Sequence, residues 1–196
     1  MFKMSKTDET RRRYLIAATS ITAGAGLIGV GIPFIGSWNP SAKAKAGGAP
    51  VRVDVSRIEP GAMVTVEWRG KPIWVLRRTD SNLKTLRESS LRQELRDPDS
   101  EIDQQPEYAR NEYRSIREDI LVTMAICTHL GCIPRYHPQG RGDIEHALYF
   151  CPCHGSKFDL AGRVFKNVPA PTNLVIPPHR YPEHDVLLIG EDASVG

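Results

Sequence analysis

The sequence predicts a mainly β protein in which one N-terminal transmembrane helix precedes a layered antiparallel β domain with a helical insertion. Three observations support this prediction. Residues 14–42 contain no charged side chain, which suits a helix within a bilayer. After Pro50, short apolar runs with a period of two residues recur between Gly and Pro residues, as in antiparallel sheets. One leucine-rich segment, residues 82–95, has helical spacing instead.

The membrane anchor is predicted over residues 14–38. Its apolar centre, Leu15–Ile35, is 21 residues long, and roughly 20 residues suffice to cross a bilayer as an α-helix. This run is longer than the apolar part of a typical cleaved signal peptide, roughly 7–15 residues, so we expect the anchor to be retained. The small residues around Lys45 leave cleavage open as an alternative.

The N-terminal segment 1–13 predicts the route of export. Its five basic and two acidic side chains account for the whole formal charge of +3. The run Thr10-Arg-Arg-Arg-Tyr-Leu15 is similar to a twin-arginine export signal, and an arginine cluster beside an ordinary membrane helix is the alternative. Both interpretations predict a single-pass protein of the bacterial inner membrane with a cytoplasmic N-terminus and a periplasmic domain. The remaining 183 residues are neutral, so no nucleic-acid partner is predicted.

Residues 39–50 are predicted to be a flexible tether. The segment Ser41–Pro50 consists mainly of Ala, Gly and Lys and has no side chain that could build a core. Ten extended residues reach at most roughly 33–36 Å, so a domain over residues 51–196 could occupy more than one position. A passive spacer is the alternative.

The domain over residues 51–196 is expected to consist of short strands. The apolar runs that predict them are 51–55, 64–68, 73–76, 121–126, 147–150, 164–165, 174–176 and 186–189. The helical insertion, residues 82–95, is expected to be one short helix capped from Asp80 or Ser81. The five acids of residues 97–107 lack the spacing of a metal-binding loop, so we interpret that segment as a solvated loop.

All four cysteines lie in two motifs, each at the end of a predicted strand. Box 1 is Cys127-Thr-His129-Leu-Gly-Cys132, and box 2 is Cys151-Pro-Cys153-His154-Gly-Ser156. A Cys-x-His and a Cys-x-x-His provide two thiolates and two imidazoles, which is the donor set of a Rieske-type [2Fe–2S] centre. We therefore expect one [2Fe–2S] cluster on Cys127, His129, Cys151 and His154.

The remaining residues of the boxes are expected to support the cluster. Cys132 and Cys153 are left free to tie the two loops together, and an exported location permits a disulfide between them. Gly131 and Gly155 allow close approach of the backbone. The Ser156 hydroxyl can donate a hydrogen bond to a cluster sulfur, which would raise the reduction potential.

Two other kinds of site compete with this interpretation. A Cys2His2 zinc site would use the same atoms, but Cys-x-His is unlike zinc-finger spacing and two cysteines would stay unexplained. A thiol–disulfide active site would need a Cys-x-x-Cys gap, which Cys151-Pro-Cys153 lacks. The other four histidines lie in polar contexts and are expected at the surface: His137, His146, His179 and His184.

The mixed donor set has a chemical consequence. Two neutral imidazoles in place of two thiolates raise the reduction potential to roughly −150 to +300 mV, against roughly −400 mV for plant-type ferredoxins. A metal-bound imidazole keeps a second ring N–H, whose proton affinity rises when an electron arrives. Such a centre can accept a hydrogen-atom equivalent from a quinol.

These motifs closely resemble the Rieske iron–sulfur subunits of ubiquinol:cytochrome c oxidoreductase, the cytochrome bc complex of respiratory chains. The resemblance also includes Arg77-Arg-Thr79, Glu107-Tyr-Ala-Arg-Asn111 and Val168-Pro-Ala-Pro171. It implies a Rieske domain over residues 51–196 with a cluster-binding subdomain over about 124–172. It also implies the four cluster ligands named above and the disulfide between Cys132 and Cys153.

The resemblance further implies a function and partners. In this family, the histidine that matches His154 contacts ubiquinol at cytochrome b and takes up one electron and one proton. The domain then swings on its tether and reduces a c-type cytochrome, within a dimeric complex. Leu130 matches a residue that shields the cluster, and Pro169 and Pro171 match the loop that covers its other side.

Two residues depart from the family pattern. Phe158 occupies a position where many members have a tyrosine, so a hydrogen bond to a ligand sulfur would be lost. Val168 occupies a position where relatives often have Gly. A rival function is the small Rieske electron-transfer subunit of a periplasmic oxidase, such as arsenite oxidase; the long anchor and the helical insertion favour the cytochrome bc complex.

Overall fold

The computed structural model describes residues 6–41, 44 and 47–192. The chain divides into two compact units, residues 1–46 and residues 47–196. The predicted tether and the alternative cleavage sequence around Lys45 lie partly outside the described residues.

The first unit contains one long α-helix, α1, over Lys6–Gly36. The part Thr7–Gly36 is long and apolar enough to cross a membrane, and the large apolar side chains of this part are exposed. The hydroxyls of Thr19 and Thr22 donate to backbone carbonyls one turn earlier, which satisfies them in an apolar environment. The helix begins before the predicted residue 14 because arginine is a good helix former.

The second unit contains a three-stranded sheet whose neighbouring strands follow the order of the chain: β2 (Met63–Trp68), β3 (Lys71–Arg77) and β4 (Ile120–Met124). β2 and β3 form a hairpin whose two turn residues, Arg69 and Gly70, both have positive φ, as in a type I′ turn. This sheet separates two hydrophobic cores, because alternate residues of β3 and β4 point to opposite faces.

Each core is closed by a further antiparallel sheet. On one face lies the sheet with strand order β1-β9-β8, formed by Val51–Asp54, Val186–Ile189 and His179–Glu183. On the other lies the sheet β5-β6-β7, formed by Arg135–His137, Leu148–Phe150 and Lys157–Phe158. The predicted layered antiparallel fold is therefore confirmed.

The helical insertion differs from the single helix that the leucine spacing predicts. It forms two short helices, α2 (Asp80–Leu86) and α3 (Ser89–Glu94), because the extended backbone of Glu88 interrupts the helical run. The cap is also one residue earlier than expected. Thr79 and the N3 residue Asn82 form a reciprocal capping box.

Two predicted strands are absent from the described structure. The segments 164–165 and 174–176 are buried apolar segments, but they belong to none of the three sheets. In the segment 174–176 the backbone N–H groups bond to loops, since Leu174 donates to the Gly162 carbonyl and Ile176 to the Gln104 carbonyl. The segment 164–165 makes only isolated contacts with β7, where the Phe165 N–H donates to the Lys157 carbonyl. A short apolar run predicts that the segment is buried, but it does not predict which groups its backbone N–H groups bond to.

The expectation that four histidines lie at the surface is wrong for His179. His184 is exposed, and His137 and His146 are half-buried, whereas His179 is fully buried. As the first residue of β8, His179 points into the protein, where its ring contacts the edges of Tyr108 and Tyr181.

Candidate metal centre

The two boxes form loops with the same internal hydrogen bonds. In box 1, the Cys127 N–H donates to the Cys132 carbonyl at 2.8 Å, and the Gly131 N–H donates to the Cys127 carbonyl at 3.0 Å. In box 2, the equivalent bonds run from Cys151 to Ser156 at 2.8 Å and from Gly155 to Cys151 at 2.9 Å. Each loop therefore closes on its own first cysteine.

The fifth residue of each loop has to be glycine for a conformational reason. Gly131 has φ +80° and Gly155 has φ +76°, values that side chains with a Cβ rarely adopt. Box 1 follows β4 and box 2 follows β6, and the first cysteine of each box is buried.

The four predicted ligands come together as two pairs, each with one residue from box 1 and one from box 2. Cys127 and Cys151 are buried free thiols that lie next to each other, so that Cys151 contributes to the raised pKa of Cys127. The ring centroids of His129 and His154 lie 4.7 Å apart at an interplanar angle of 89°. His129 is half-buried and His154 is exposed, so one ring of the pair is open to a binding partner.

The environment of Cys127 combines burial with hydrogen bonding. Burial raises the pKa of its thiol, and contact with the Cys151 thiol acts in the same direction. The His129 backbone and the Ser156 hydroxyl hydrogen-bond to the sulfur and lower the pKa. These two groups would also bond to the thiolate that a metal requires.

The other two cysteines form a disulfide that joins the loops. Cys132 and Cys153 are bonded to each other and are 21 residues apart in sequence. The Sγ atoms of Cys132, Cys151 and Cys153 all lie within 4.8 Å of one another. These three sulfurs are not a ligand set, because disulfide sulfurs are not thiolates.

The donor set fits a Rieske-type [2Fe–2S] cluster. The two boxes contribute one pair of buried thiols and one pair of imidazoles, and the disulfide accounts for the cysteines that a zinc site leaves unexplained. Two thiolates on one iron and two imidazoles on the other are the ligands of such a cluster.

A proline-containing loop, Val168–Thr172, is bonded to both boxes. The Thr128 hydroxyl of box 1 donates to the Thr172 carbonyl at 2.7 Å. The Ala170 N–H donates to the Ser156 hydroxyl of box 2 at 3.0 Å. Pro169 and Pro171 themselves are exposed. The sequence identified the two prolines but not Thr128 and Ala170, which make the hydrogen bonds. The position of the Thr128 hydroxyl between two predicted ligands was the only sequence signal for this contact.

The tip of the two loops presents apolar side chains outside the protein. Leu130 is 71% exposed and Ile133 is 55% exposed. Phe158, by contrast, is completely buried and is paired with Tyr149 across β6 and β7. Exposed apolar side chains beside the exposed His154 form a surface suited to contact with another molecule.

Buried arginines hold the turn that follows β7. Arg114 donates to the Ala161 carbonyl at 3.1 Å and to the Gln105 side chain at 2.7 Å. Arg78 donates to the Leu160 carbonyl at 3.2 Å. Burial lowers the pKa of each of these guanidinium groups to about 10, so both remain charged at neutral pH.

A third buried arginine is paired with a carboxylate. The Arg163 Nε donates to Asp159 Oδ2 at 2.7 Å, and both side chains are 1% exposed. Asp159 also accepts from the N–H groups of Ala161 and Arg163. The motifs gave no sign of this ion pair, because its partners are four residues apart in a turn that carries no other pattern.

Comparison with known proteins matches two parts of the chain to protein families. Residues 101–178 match the Rieske [2Fe-2S] domain, which includes both boxes and the proline-containing loop. Residues 1–41 match the family described as Ubiquitinol-cytochrome C reductase Fe-S subunit TAT signal.

Curated relatives match almost the whole chain. The ubiquinol-cytochrome c reductase iron-sulfur subunit of Allochromatium vinosum is 53% identical over 189 residues, which cover 94% of this chain and 90% of the relative. The corresponding subunit of Blastochloris viridis is 40% identical, with 97% and 98% covered. That of Bradyrhizobium diazoefficiens is also 40% identical, with 95% and 97% covered. At this identity and coverage, the chain belongs to the family of Rieske iron–sulfur subunits of ubiquinol-cytochrome c reductase.

Proposed function

We propose that this chain is the Rieske subunit of a cytochrome bc complex, where it takes one electron and one proton from ubiquinol and passes the electron to a c-type cytochrome. The observation that carries the proposal is a pair of perpendicular imidazoles, one of them exposed, contributed by the same two loops as a pair of buried free thiols. A centre that only stabilised the fold would not need an accessible histidine ligand.

The proposed ligands are Cys127 and Cys151 for one iron and His129 and His154 for the other. When bound, the [2Fe–2S] cluster supplies a one-electron acceptor of raised reduction potential. The hydrogen bonds within each loop hold the two thiols in place, and the Ser156 hydroxyl stabilises the Cys127 sulfur. The Cys132–Cys153 disulfide keeps the loops together on the exposed side.

His154 is the proposed contact for ubiquinol. Its ring is exposed and contacts the ring of His129, and the next residue of box 1, Leu130, is also exposed. The ring nitrogen that does not bind iron can form a hydrogen bond with a quinol hydroxyl and then hold its proton. Leu130 and Ile133 offer apolar area to the site on cytochrome b that presents the quinol.

The proposed topology places the twin-arginine signal of residues 1–13 in the cytoplasm, a single anchor over 14–38 in the bacterial inner membrane, and the Rieske domain in the periplasm. Relatives that are named as ubiquinol-cytochrome c reductase subunits and match almost the whole chain favour this complex over a periplasmic oxidase. The proposed partners are therefore cytochrome b and a c-type cytochrome, in a complex that is a dimer.

The proposal is tested on membranes that contain the tagged full-length chain. We expect b-type and c-type haem to co-purify with it, and we expect its EPR signal to change shape when an inhibitor fills the quinol site. Purification without either haem, or a signal that is indifferent to the inhibitor, would contradict the proposal.

A pair of histidine variants assigns the site. His154→Gln should abolish both the Rieske EPR signal and ubiquinol:cytochrome c reductase activity. His184→Gln is the matched control, because His184 is exposed and lies on the β8–β9 hairpin, outside the two boxes. It should keep both properties. A His154→Gln variant with a normal signal would exclude His154 as a ligand.

A further inference from the structure

We infer that Cys151 has a second reactivity: in the cluster-free chain, its sulfur attacks the Cys132–Cys153 disulfide and rearranges it. The Sγ atoms of these three cysteines all lie within 4.8 Å of one another, while only Cys132 and Cys153 are bonded. A free thiol beside a disulfide is the arrangement from which thiol–disulfide exchange proceeds.

The exchange needs no external oxidant or reductant. The Cys151 thiolate forms a bond to the Cys132 sulfur, the Cys132–Cys153 bond breaks, and its electron pair leaves on Cys153. The proton lost by Cys151 is replaced by one that Cys153 takes from water. The chain begins and ends with one disulfide and two thiols, so electrons and atoms balance.

Burial of the three cysteines favours Cys132 as the sulfur that is attacked. Cys151 is buried, Cys132 is half-buried and Cys153 is exposed. When Cys153 is the leaving group, its thiolate emerges in water, which stabilises the charge. Attack on Cys153 would instead form a bond between residues only two apart and would release a less exposed thiolate at Cys132.

The other free thiol is a poorer nucleophile for this disulfide. The Cys127 side chain contacts Cys151. Among the described residues, however, the Cys127 sulfur does not lie within 4.8 Å of both disulfide sulfurs. Cys127 and Cys151 are both buried free cysteines, so they form a matched pair that differs in access to the disulfide.

Iron would suppress the exchange by occupying the attacking sulfur. This protection rests on the proposed role of Cys151 as a ligand, whereas the exchange itself depends only on the positions of the three sulfurs. Once exchange has occurred, Cys151 is no longer available to iron and Cys153 is an exposed thiol. A bound cluster would therefore keep the Cys132–Cys153 disulfide intact, and this disulfide in turn joins the two loops that would hold the cluster.

The test uses the full-length chain in detergent. The cluster is released by acid and a chelator without air, and the chain is returned to mildly alkaline pH for increasing times. Free thiols are then alkylated without reduction, and the chain is digested with trypsin. Cleavage after Arg117, Arg135, Arg141 and Lys157 gives the peptides 118–135 and 142–157, each with two cysteines. Fragmentation of the second peptide distinguishes label on Cys151 from label on Cys153.

We expect label to move from Cys151 to Cys153 with time, at a rate that is independent of protein concentration. Cys127→Ser should exchange like the natural chain, and Cys151→Ser should keep its original disulfide. The unfolded chain in denaturant serves as a reference in which Cys127 also forms disulfides. Persistence of the Cys132–Cys153 pair in the folded cluster-free chain would overturn the inference, as would equal exchange in Cys151→Ser.

The loaded chain separates this inference from the proposed function. With iron present, Cys151 and Cys127 should resist alkylation and the disulfide should stay unchanged. Exchange in the loaded chain would exclude Cys151 as a ligand and leave the reaction itself established. Absence of exchange in both forms would overturn the inference and leave the proposed function untouched.

Discussion

The backbone N–H of Ala170 donates a 3.0 Å hydrogen bond to the hydroxyl of Ser156, and both residues are completely buried. The same hydroxyl also hydrogen-bonds to the side chain of Cys127. One buried oxygen therefore connects box 2, the proline-containing loop and a proposed ligand in box 1. It accepts from the loop, so its own hydrogen is free for the sulfur.

Ser156→Ala should lower both stability and midpoint potential. The Ala170 N–H would lose its partner inside the protein, at a cost of about 1–3 kcal/mol in the free energy of unfolding. The Cys127 sulfur would lose a donor that favours its more negative, reduced state. Denaturant titration and voltammetry measure the two effects. Ser56→Ala removes an exposed hydroxyl that donates to Asp54, so it should leave the potential unchanged and cost less stability than Ser156→Ala. An unchanged potential in Ser156→Ala would show that the hydroxyl does not reach the cluster.

Phe158→Tyr should raise the midpoint potential. Phe158 is completely buried on β7, the strand that follows box 2, and we expect a tyrosine hydroxyl at this position to donate a hydrogen bond to a ligand sulfur. Voltammetry of the full-length chain decides the matter. A potential that is unchanged or lower would contradict the idea that this position tunes the cluster, and the cost of the new hydroxyl would appear as lost stability.

Short sequence patterns predicted the strands and loops whose conformation depends on nearby residues. Continuous apolar runs identified β3 and β4, because both faces of these strands are buried, each against one of the two cores. The boxes identified the loops that hold the candidate ligands. The segment 174–176 was predicted as a strand, yet its N–H groups bond to distant loops. Such partners are set by tertiary structure, so no short sequence window reveals them.

The same limit applies to the polar groups inside the domain. The sequence placed Arg78 within a family motif and predicted no role for Arg114 or Arg163. All three arginines are buried. Arginine usually lies at the surface, so sequence favours that interpretation. Only the three-dimensional arrangement reveals that Arg78 and Arg114 donate to carbonyls of the turn after β7 and that Arg163 pairs with Asp159.

Asp159→Asn should destabilise the domain by about 3–5 kcal/mol. The change keeps the shape of the side chain but removes the negative charge that pairs with Arg163, and it leaves a guanidinium buried without its counter-charge. Asp143→Asn is the matched control, since Asp143 is 89% exposed and lies 3.6 Å from Lys157. Denaturant unfolding, followed by the visible absorption of the cluster, should separate the two variants. Equal stability would contradict the importance of the buried pair.

His179 should make the domain less stable in weak acid. Its Nδ1 lies 2.8 Å from the Pro177 carbonyl and donates to it, and its Nε2 is buried without a partner among the described residues. Burial lowers the pKa of His179 below its ordinary 6.5, although the carbonyl and Asp192 act in the opposite direction. Tyr108 and Tyr181, which contact the ring, are uncharged at these pH values.

The sign of this effect follows from proton binding. Below pH 6.5 the unfolded chain protonates His179 while the folded chain does not, so the unfolded state gains protons and stability falls as the pH decreases toward the folded pKa. His179→Phe removes the titrating group. It should lose less stability between pH 7 and pH 5 than the natural chain does. If both chains lost the same stability over this interval, His179 would not be the group that titrates, and the acid sensitivity would belong to residues that the two chains share.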